Sequence, residues 1–231
     1  MSKNKIKAAR ILKLRGDTDI IRNNLIYYYN IGIPDQFIML HLPTEELLDI
    51  ISDVQKEIPD MRLRLLYWNK EGAGKDPVNE EYLRVLTDAA QKEGFRWIVG
   101  SDSDEFLILQ KHKTIYDLIE NYDNHNFVSL IFPWVNYYLT DIIQDRPFYE
   151  IMTRRRPQCM PWTKSIGKFN PSMYYVQGLH HIADMENGQV SSNIYTENIP
   201  EETAFFAHFP YRSKQQYVEK NKTQAKKFND W

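Results

Sequence analysis

The stretch "AARILKLRGDTDIIRNNLIYYYNIG" (Ala8–Gly32) holds one complete strand–helix unit, and this unit sets the pattern for the first half of the chain. Its apolar opening, Ala8–Leu14, predicts a buried strand. After a glycine break, Asp17 or Thr18 is placed to cap a helix whose apolar residues recur at helical spacing. Gly32 is placed to end that helix. The stretch therefore predicts a strand that leads through a short turn into an amphipathic helix.

The same alternation continues to about residue 101. Further strands are predicted from "DQFIMLHL" (35–42), "MRLRLLYW" (61–68) and "FRWIVGS" (95–101), and further helices from "PTEELLDIISDVQKEIP" (43–59) and "NEEYLRVLTDAAQKEG" (79–94). Strands that alternate with helices indicate right-handed βαβ units and a mostly parallel sheet flanked by helices. The second half instead shows mixed strands and loops, typical of a smaller, antiparallel or irregular region. We find no linker between the halves and predict one α/β domain over 1–231.

Composition excludes several classes of function. The chain has 231 residues, 42% of them hydrophobic, and a formal net charge of −2, which argues against a nucleic-acid partner. Cys159 is the single cysteine, so neither an intrachain disulfide nor a cysteine zinc site is expected. The basic N-terminus is not followed by an apolar segment, and no apolar run approaches the length of a spanning helix. These features predict a cytoplasmic protein.

The acidic stretch "RWIVGSDSDEFLIL" (Arg96–Leu109) carries the strongest chemical signal. Asp102 and Asp104 follow the fourth predicted strand, at the carboxyl edge of the sheet where open α/β sheets bind ligands. If the backbone stays extended, both carboxylates point to one side and converge. Like charges at that spacing need a countercharge, and oxygen ligands suit Mg²⁺ or Mn²⁺. The stretch therefore predicts a metal-bridged diphosphate; the alternative is a solvated turn.

Several motifs occur in an order that resembles one enzyme family. The segment "W-I-x-x-x-D-x-D-E-F" is similar to glycosyltransferases of the GT-A fold, and most similar to a family-2-like group that carries "D-x-D-E-F". The other matching segments are "RNNLIYYYNIG" (22–32), "TKSIGKFNP" (163–171), "GLHHIAD" (178–184) and "HFPYRSKQQYVEK" (208–220). The resemblance implies a GT-A fold with a nucleotide-sugar-binding half over 1–109, an acceptor half over 110–215 and a basic C-terminal helix over 216–231.

The resemblance also implies an activity and a set of site residues. The activity is transfer of a sugar from a nucleotide-diphosphate sugar, expected to be UDP-linked, with Mn²⁺ or Mg²⁺ on the diphosphate. The implied metal ligands are Asp102, Asp104 and His208, with His180 or His181 as the rival histidine. The implied donor-binding residues are Asp17, Asp102, Lys164, Arg212 and Lys214, and the implied acceptor-binding residues are Trp134, His180 and His181. The segment "LHLPTEE" (40–46) lacks the carboxylate that usually contacts the nucleotide, so the base of the donor stays open.

The catalytic base is the least defined part of the prediction. An inverting transfer needs a group that takes the proton of the acceptor hydroxyl, whereas a retaining transfer does not need that base. We expect an inverting enzyme. The candidate bases are Asp141, Asp184 and Glu186, with Asp141 preferred because Trp134, a residue able to stack on a sugar, lies shortly before it.

The predicted role is synthesis of a bacterial surface polysaccharide such as lipopolysaccharide, with a glycan or lipid-linked glycan as acceptor. Basic segments at 154–156 and 220–228 suit anionic lipid headgroups and predict peripheral contact with the inner face of the membrane. Two alternatives remain: a nucleotidyltransferase-like enzyme, disfavoured by the poor match of "RGDTD" to a Gly-rich basic loop, and a non-catalytic carbohydrate-binding domain of the same fold.

Overall fold

A computed structural model describes residues 6–68, 76–138, 152, 154–155, 159, 161–176, 179–186, 189–190 and 194–218. The elements in chain order are β1 (Ala8–Leu14), α1 (Ile21–Asn30), β2 (Asp35–His41), α2 (Glu45–Glu57), β3 (Arg62–Trp68), α3 (Asp76–Lys92), β4 (Trp97–Gly100), β5 (Glu105–Leu109), α4 (Ile115–Ile119), a 3₁₀ turn (Glu120–Tyr122), β6 (Val128–Tyr138), β7 (Arg154–Arg155), β8 (Thr163–Lys168), β9 (Met173–Val176), β10 (His181–Glu186), β11 (Gln189–Val190), β12 (Tyr195–Asn198) and β13 (Ala204–His208).

The first half forms the predicted strand–helix alternation. Strands β3, β2, β1 and β4 lie side by side in that order and are all parallel. Strands β1, β2 and β4 are buried throughout or nearly so, because helices cover both faces of a parallel sheet. Helix α2 lies within the predicted segment 43–59 and is capped at its start, because the side chain of Thr44 accepts a hydrogen bond from the backbone N–H of Leu47.

The start of α1 differs from the prediction. The helix begins at Ile21, and its N-cap residue is Ile20, with no side-chain capping bond. Asp17 therefore does not cap α1 with its side chain; it lies in the turn before the helix with φ +57°, in the left-handed region. Asp17 still contributes through its backbone, since its carbonyl accepts the N–H groups of Ile20 and Ile21. The end of α1 is as predicted, with Gly32 at φ +99°.

The second half continues the same sheet. Strand β8 inserts antiparallel between β4 and β6, and the order then runs β4–β8–β6–β13–β5. Strand β13 is parallel to β6 and antiparallel to β5. A separate antiparallel sheet holds β9, β10 and β11. The predicted fold class is confirmed: a mixed α/β domain with a mostly parallel sheet and a smaller antiparallel region.

One consequence of this order positions the site. Strands β4 and β5 are consecutive in the chain but lie on either side of β8, β6 and β13. The four-residue connection 101–104 must therefore cross the ends of these strands, which brings the acidic stretch over residues from the second half.

The predicted C-terminal helix is only partly within the described residues. Residues 214–218 are helical, and the remainder of 216–231 lies outside the description. Among the helices described, none combines the length and apolar character that crossing a membrane requires. The predicted boundaries at 109 and 215 stay predictions, and β5 (Glu105–Leu109) pairs with β13 from the second half.

Candidate functional site

The acidic stretch forms a turn at the carboxyl edge of the sheet. Residues 101–104 are not in a strand, and the backbone N–H of Glu105 donates to the carbonyl of Asp102 at 3.2 Å. The expectation of an extended backbone from Asp102 to Asp104 is therefore wrong. The physical reason is the crossing from β4 to β5, which a straight strand cannot make. The two carboxylates consequently face different partners.

A buried guanidinium supports this turn from below. Arg10, on β1, is fully buried and donates to the Ser101 hydroxyl at 2.7 Å and to the Gln36 side-chain oxygen at 3.0 Å. A third donor lies 3.4 Å from the Asp102 carbonyl oxygen, and the guanidinium stacks 3.8 Å above the Tyr28 ring. Burial lowers the pKa of Arg10 to about 10, which still leaves it charged at neutral pH. Arg10 thus places a fixed positive charge beneath the acidic turn.

Lys164, on β8, joins two carboxylates of the turn. Its ammonium lies 2.9 Å from Asp102 Oδ2 and 3.0 Å from Glu105 Oε1. Glu105 is 1% exposed and also accepts the Trp134 indole N–H at 2.9 Å. Burial works to lower the pKa of Lys164, but the two carboxylates outweigh it and raise that pKa above its ordinary value. Lys164, predicted to bind the donor, is placed here as the partner of Asp102 and Glu105.

Asp104 and His208 form a second pair in the turn. His208 Nε2 lies 3.5 Å from Asp104 Oδ2, and its Nδ1 lies 2.7 Å from the Asn136 side-chain oxygen. Because an amide oxygen accepts, this contact assigns the proton of a neutral His208 ring to Nδ1 and leaves Nε2 with a lone pair toward the carboxylate. The ring is held in place by stacking on Trp134, with centroids 4.4 Å apart.

The donor set of this pair fits a divalent cation with an incomplete protein shell. Two acceptors that face each other, with the second imidazole nitrogen hydrogen-bonded, are the arrangement of a metal-binding histidine and carboxylate. Within the part of the chain that the structure describes, no group of three or more His, Cys, Asp or Glu side chains is arranged to hold a metal. Asp104 and His208 can thus serve as two protein ligands, with phosphate and water oxygens as the rest, as Mg²⁺ commonly requires. Asp102, the third predicted ligand, is held by Lys164.

Arg212 closes the site from the C-terminal side. It donates to Asp19 from Nε and Nη2, at 2.7 and 2.8 Å, and to Asp17 Oδ1 at 2.8 Å. Asp17 in turn accepts the Ser103 hydroxyl at 2.6 Å. Burial works to lower the pKa of Arg212, but Asp19 and Asp17 outweigh it and raise that pKa. We call this set of contacts between Arg212, Asp17 and Asp19 the arginine clasp; its guanidinium also lies 3.8 Å from Asp104 Oδ2.

A cavity of about 390 Å³ lies between these groups. Its lining residues are Lys13, Arg15, Asp17, Asp102, Ser103, Asp104, Glu105, Trp134, Lys164, His180 and His208. The structure therefore brings together most of the residues that were predicted from sequence as metal, donor or acceptor contacts. A larger groove of about 1110 Å³ lies at the opposite edge of the sheet, where Asp35 pairs with Arg62 and Arg64. We place the candidate site in the smaller cavity because it alone of these two contains the acidic turn.

His180 is fixed at the cavity by its neighbours. Its Nδ1 lies 2.5 Å from the Thr163 carbonyl oxygen, and its own carbonyl accepts the Ser165 hydroxyl at 2.8 Å. Trp134 meets the ring edge-on at 5.7 Å between centroids, and Trp162 lies at 5.9 Å on a tilt. His181, its neighbour, is exposed at the start of β10.

Not every predicted site residue lies in the described cavity. Lys214 is exposed in the helical segment 214–218. Asp141 lies outside the described residues. The backbones of Asp184 and Glu186 belong to β10, and their side chains are outside the description. The assigned roles of all these residues stay predictions.

Two contributors, Arg10 and Asp19, were missed from the sequence, and a third, Asn24, lies in a matched motif that assigned it no role. Arg10 supports the turn, Asp19 takes part in the arginine clasp, and Asn24 donates to the Glu105 carbonyl at 2.9 Å. Arg10 had a visible signal, because an arginine within the apolar run "AARILKL" needs a buried partner. Asp19 had none, since polar residues around a helix start are common. Asn24 lies in the motif segment "RNNLIYYYNIG" (22–32).

Comparisons with solved structures give distant likenesses. The mannosyltransferase PcManGT from Pyrobaculum calidifontis, in complex with GDP-Man and Mn²⁺, shares 15% identity over 53% of this chain and 34% of its own, with a TM-score of 0.37. HddC from Yersinia pseudotuberculosis shares 10% sequence identity over 93% of this chain and 97% of its own, with a TM-score of 0.47. GalNAc-T7 with UDP, GalNAc and Mn²⁺ shares 7% sequence identity over 92% of this chain and 45% of its own, with a TM-score of 0.46. The chain thus spans about a third of PcManGT and under half of GalNAc-T7.

The sequence comparisons are more specific. No curated protein sequence matches the chain significantly. The family model described as glycosyltransferase family 92 matches residues 86–231, well over half of the chain, and this region includes the acidic turn, Lys164, His180, His208 and Arg212. The chain therefore belongs to glycosyltransferase family 92, which confirms the predicted class of enzyme.

Proposed function

We propose that this protein is a metal-dependent glycosyltransferase that moves a sugar from a nucleotide-diphosphate sugar to a glycan acceptor. The observation that carries the proposal is the Asp104–His208 pair, with 3.5 Å between carboxylate and imidazole, in the acidic turn at the carboxyl edge of the sheet. Family membership supports the same reaction class. Ligands of open α/β sheets bind at this edge.

The cavity residues divide into roles by their chemistry. Asp104 and His208 would hold a divalent cation, Mn²⁺ or Mg²⁺, which when bound neutralises the diphosphate and stabilises its departure as a leaving group. Arg212, 3.8 Å from Asp104, adds positive charge next to this pair. Lys164 pairs with Asp102 and Glu105, so that the three carboxylates of the turn do not all face an incoming anion without a countercharge.

The finer features are part of the proposal. We infer a UDP-linked donor, an inverting transfer and kinship with the family-2-like group, from the ordered motifs around "D-x-D-E-F". We also infer a glycan or lipid-linked glycan acceptor in bacterial surface polysaccharide synthesis, and a cytoplasmic protein in peripheral contact with the inner face of the membrane. The basic segments at 154–156 and 220–228 support this last inference.

Thermal shift with defined ligands tests the metal–diphosphate site. We expect Mn²⁺ with UDP or GDP to raise the melting temperature, because a ligand at 100 times its Kd adds about 2.7 kcal/mol of stability. Asp104→Asn should lose this shift. The matched control is Asp53→Asn, an exposed aspartate on α2 that should keep it. If neither nucleotide shifts the wild-type protein with Mn²⁺ present, the proposal fails and a non-catalytic carbohydrate-binding domain becomes the better explanation.

A further inference from the structure

The carboxylates that line the cavity are committed to other partners. Asp102 and Glu105 are paired with Lys164, and Asp104 faces His208. Asp17 accepts hydrogen bonds from Arg212 and Ser103. The lining also includes two imidazoles; His208 belongs to the candidate metal pair, which leaves His180 outside these pairings.

His180 has the geometry of a poised proton acceptor. Its Nδ1 lies 2.5 Å from the Thr163 carbonyl oxygen, and a carbonyl can only accept. The proton of the neutral ring is therefore on Nδ1, and Nε2 carries the lone pair. This is the tautomer that a general base needs, with a backbone carbonyl in the orienting position.

The backbone around His180 is held in a conformation that has an energetic cost. Leu179 has φ +74°, in the left-handed region that residues other than glycine rarely adopt. Its side chain is fully buried and packs over Gly100 at the end of β4, where an added Cβ would lie 2.6 Å from Leu179 Cδ2. Strained backbone that the surroundings enforce is typical of functional positions. This conformation directly precedes His180 in the chain.

An exposed aromatic surface adjoins His180. Trp162 is 55% exposed although its ring lies 5.9 Å from the His180 ring. An indole of this exposure offers an apolar face to the carbon–hydrogen face of a sugar ring. A sugar stacked there would have its hydroxyl groups beside His180. The chemistry of this corner therefore suits a carbohydrate acceptor rather than an apolar one.

We propose that His180 is the catalytic base of the transfer and that Trp162 is the stacking surface for the acceptor sugar. This inference rests on the proposed glycosyltransferase function. In the step, a hydroxyl oxygen of the acceptor forms a bond to the anomeric carbon of the donor while its proton passes to His180 Nε2. The bond between the anomeric carbon and the phosphate oxygen breaks, and its electron pair leaves with the nucleoside diphosphate. Asp141 and Asp184 then have no role as the base.

The surroundings keep His180 neutral before the reaction. Burial, and then the positive charge of Lys164 on β8, lower the pKa of His180 below its ordinary value. The Thr163 carbonyl and the negative charge of Asp102 oppose this shift, and the adjacent His181 adds to it. Because the lowering effects prevail, the ring is unprotonated at neutral pH and able to take a proton.

The protonation state gives a test that is independent of turnover. Long-range ¹H–¹⁵N NMR spectra of the histidine side chains, with His180 assigned from its absence in His180→Asn, should show Nδ1–H and an unprotonated Nε2 at pH 7. A proton on Nε2, or a doubly protonated ring at pH 7, would overturn the proposal. This measurement needs neither metal nor donor.

Kinetics test the role itself. His180→Asn retains an N–H that can reach the Thr163 carbonyl but removes the basic Nε2, so a merely structural role should survive it. With Mn²⁺, a UDP-sugar or GDP-mannose and a panel of free monosaccharides, we expect release of nucleoside diphosphate to fall about 10²–10⁴-fold, the contribution of general base catalysis. The KM for the donor should not change. Imidazole added to His180→Ala should restore part of the rate.

Controls separate this inference from the proposed function. His112→Gln, in the loop between β5 and α4, should keep the wild-type rate. His180→Asn should also keep the thermal shift with Mn²⁺ and nucleotide, which Asp104→Asn loses. A rate in His180→Asn within threefold of wild type would overturn the role of His180 while leaving the glycosyltransferase proposal intact. Absence of the nucleotide shift in the wild-type protein would overturn both.

Discussion

Replacement of Lys164 by methionine should show how strongly the acidic turn depends on one buried cation. Lys164 and Glu105 each have a side chain that is 1% exposed, and 3.0 Å separates ammonium from carboxylate. Removal of one partner leaves the other as an uncompensated buried charge, which costs about 3–5 kcal/mol. In a domain of this size, each kcal/mol lowers the melting temperature by about 2–4 °C. We therefore expect Lys164→Met to unfold roughly 10 °C below the wild-type protein.

Urea denaturation provides the assay, because it gives the free energy of unfolding at one temperature. The double variant Lys164→Met/Glu105→Gln should recover about 1–3 kcal/mol of the loss, since its buried site no longer holds an unpaired charge. The matched control is Lys56→Met on α2. Lys56 is exposed and its bond to Asp53 is on the surface, so the change should stay within about 0.5 kcal/mol. A loss below about 1 kcal/mol for Lys164→Met, or a double variant no better than the single one, would refute the reasoning.

Two further predictions concern the opposite edge of the sheet and the strained loop. Burial disfavours ionised Asp35, but hydrogen bonds from Arg62 and Arg64 outweigh it and lower the pKa of that carboxyl. The stabilising contribution of Asp35 is thus complete above the unfolded-state pKa of about 4 and is lost as pH falls through the pKa of the folded state. Urea unfolding at several pH values should find Asp35→Asn about 2 kcal/mol less stable than the wild-type protein at pH 7. This difference in stability should disappear in acid. Gly100→Ala should displace Leu179 and cost about 1–3 kcal/mol, with sugar transfer reduced more than the nucleotide thermal shift.

The elements of the first half could be predicted from sequence because each is decided by local pattern. Apolar runs such as Ala8–Leu14 and Asp35–His41 are buried strands, and α2 lies within the predicted segment 43–59. The start of α1 was not predictable in the same way. Three polar residues precede it, and the carboxylates of Asp17 and Asp19 bond to Arg212 instead of to the helix.

The composition of the site was predicted better than its geometry. Ordered motifs indicated Asp104, His208, Lys164 and Arg212, and all but the last line the cavity. Their pairing depends on strand register, which single-sequence patterns do not contain. His208 lies opposite Glu105 because β13 pairs with β5, and Lys164 lies at the acidic turn because β8 inserts beside β4. The partner of each carboxylate was therefore decided by tertiary structure.

The arginine clasp also has a consequence for synthesis of the chain. It joins Arg212 to Asp17 and Asp19, across 195 and 193 positions of sequence. Contacts at such separation form only after the segments between them have been brought together. A nascent chain leaves the ribosome amino-terminus first, so the turn that holds Asp17 waits until Arg212, 195 positions later, has emerged. The protein can therefore fold much of its sheet during translation, but it cannot complete this corner of the site until residue 212 is free.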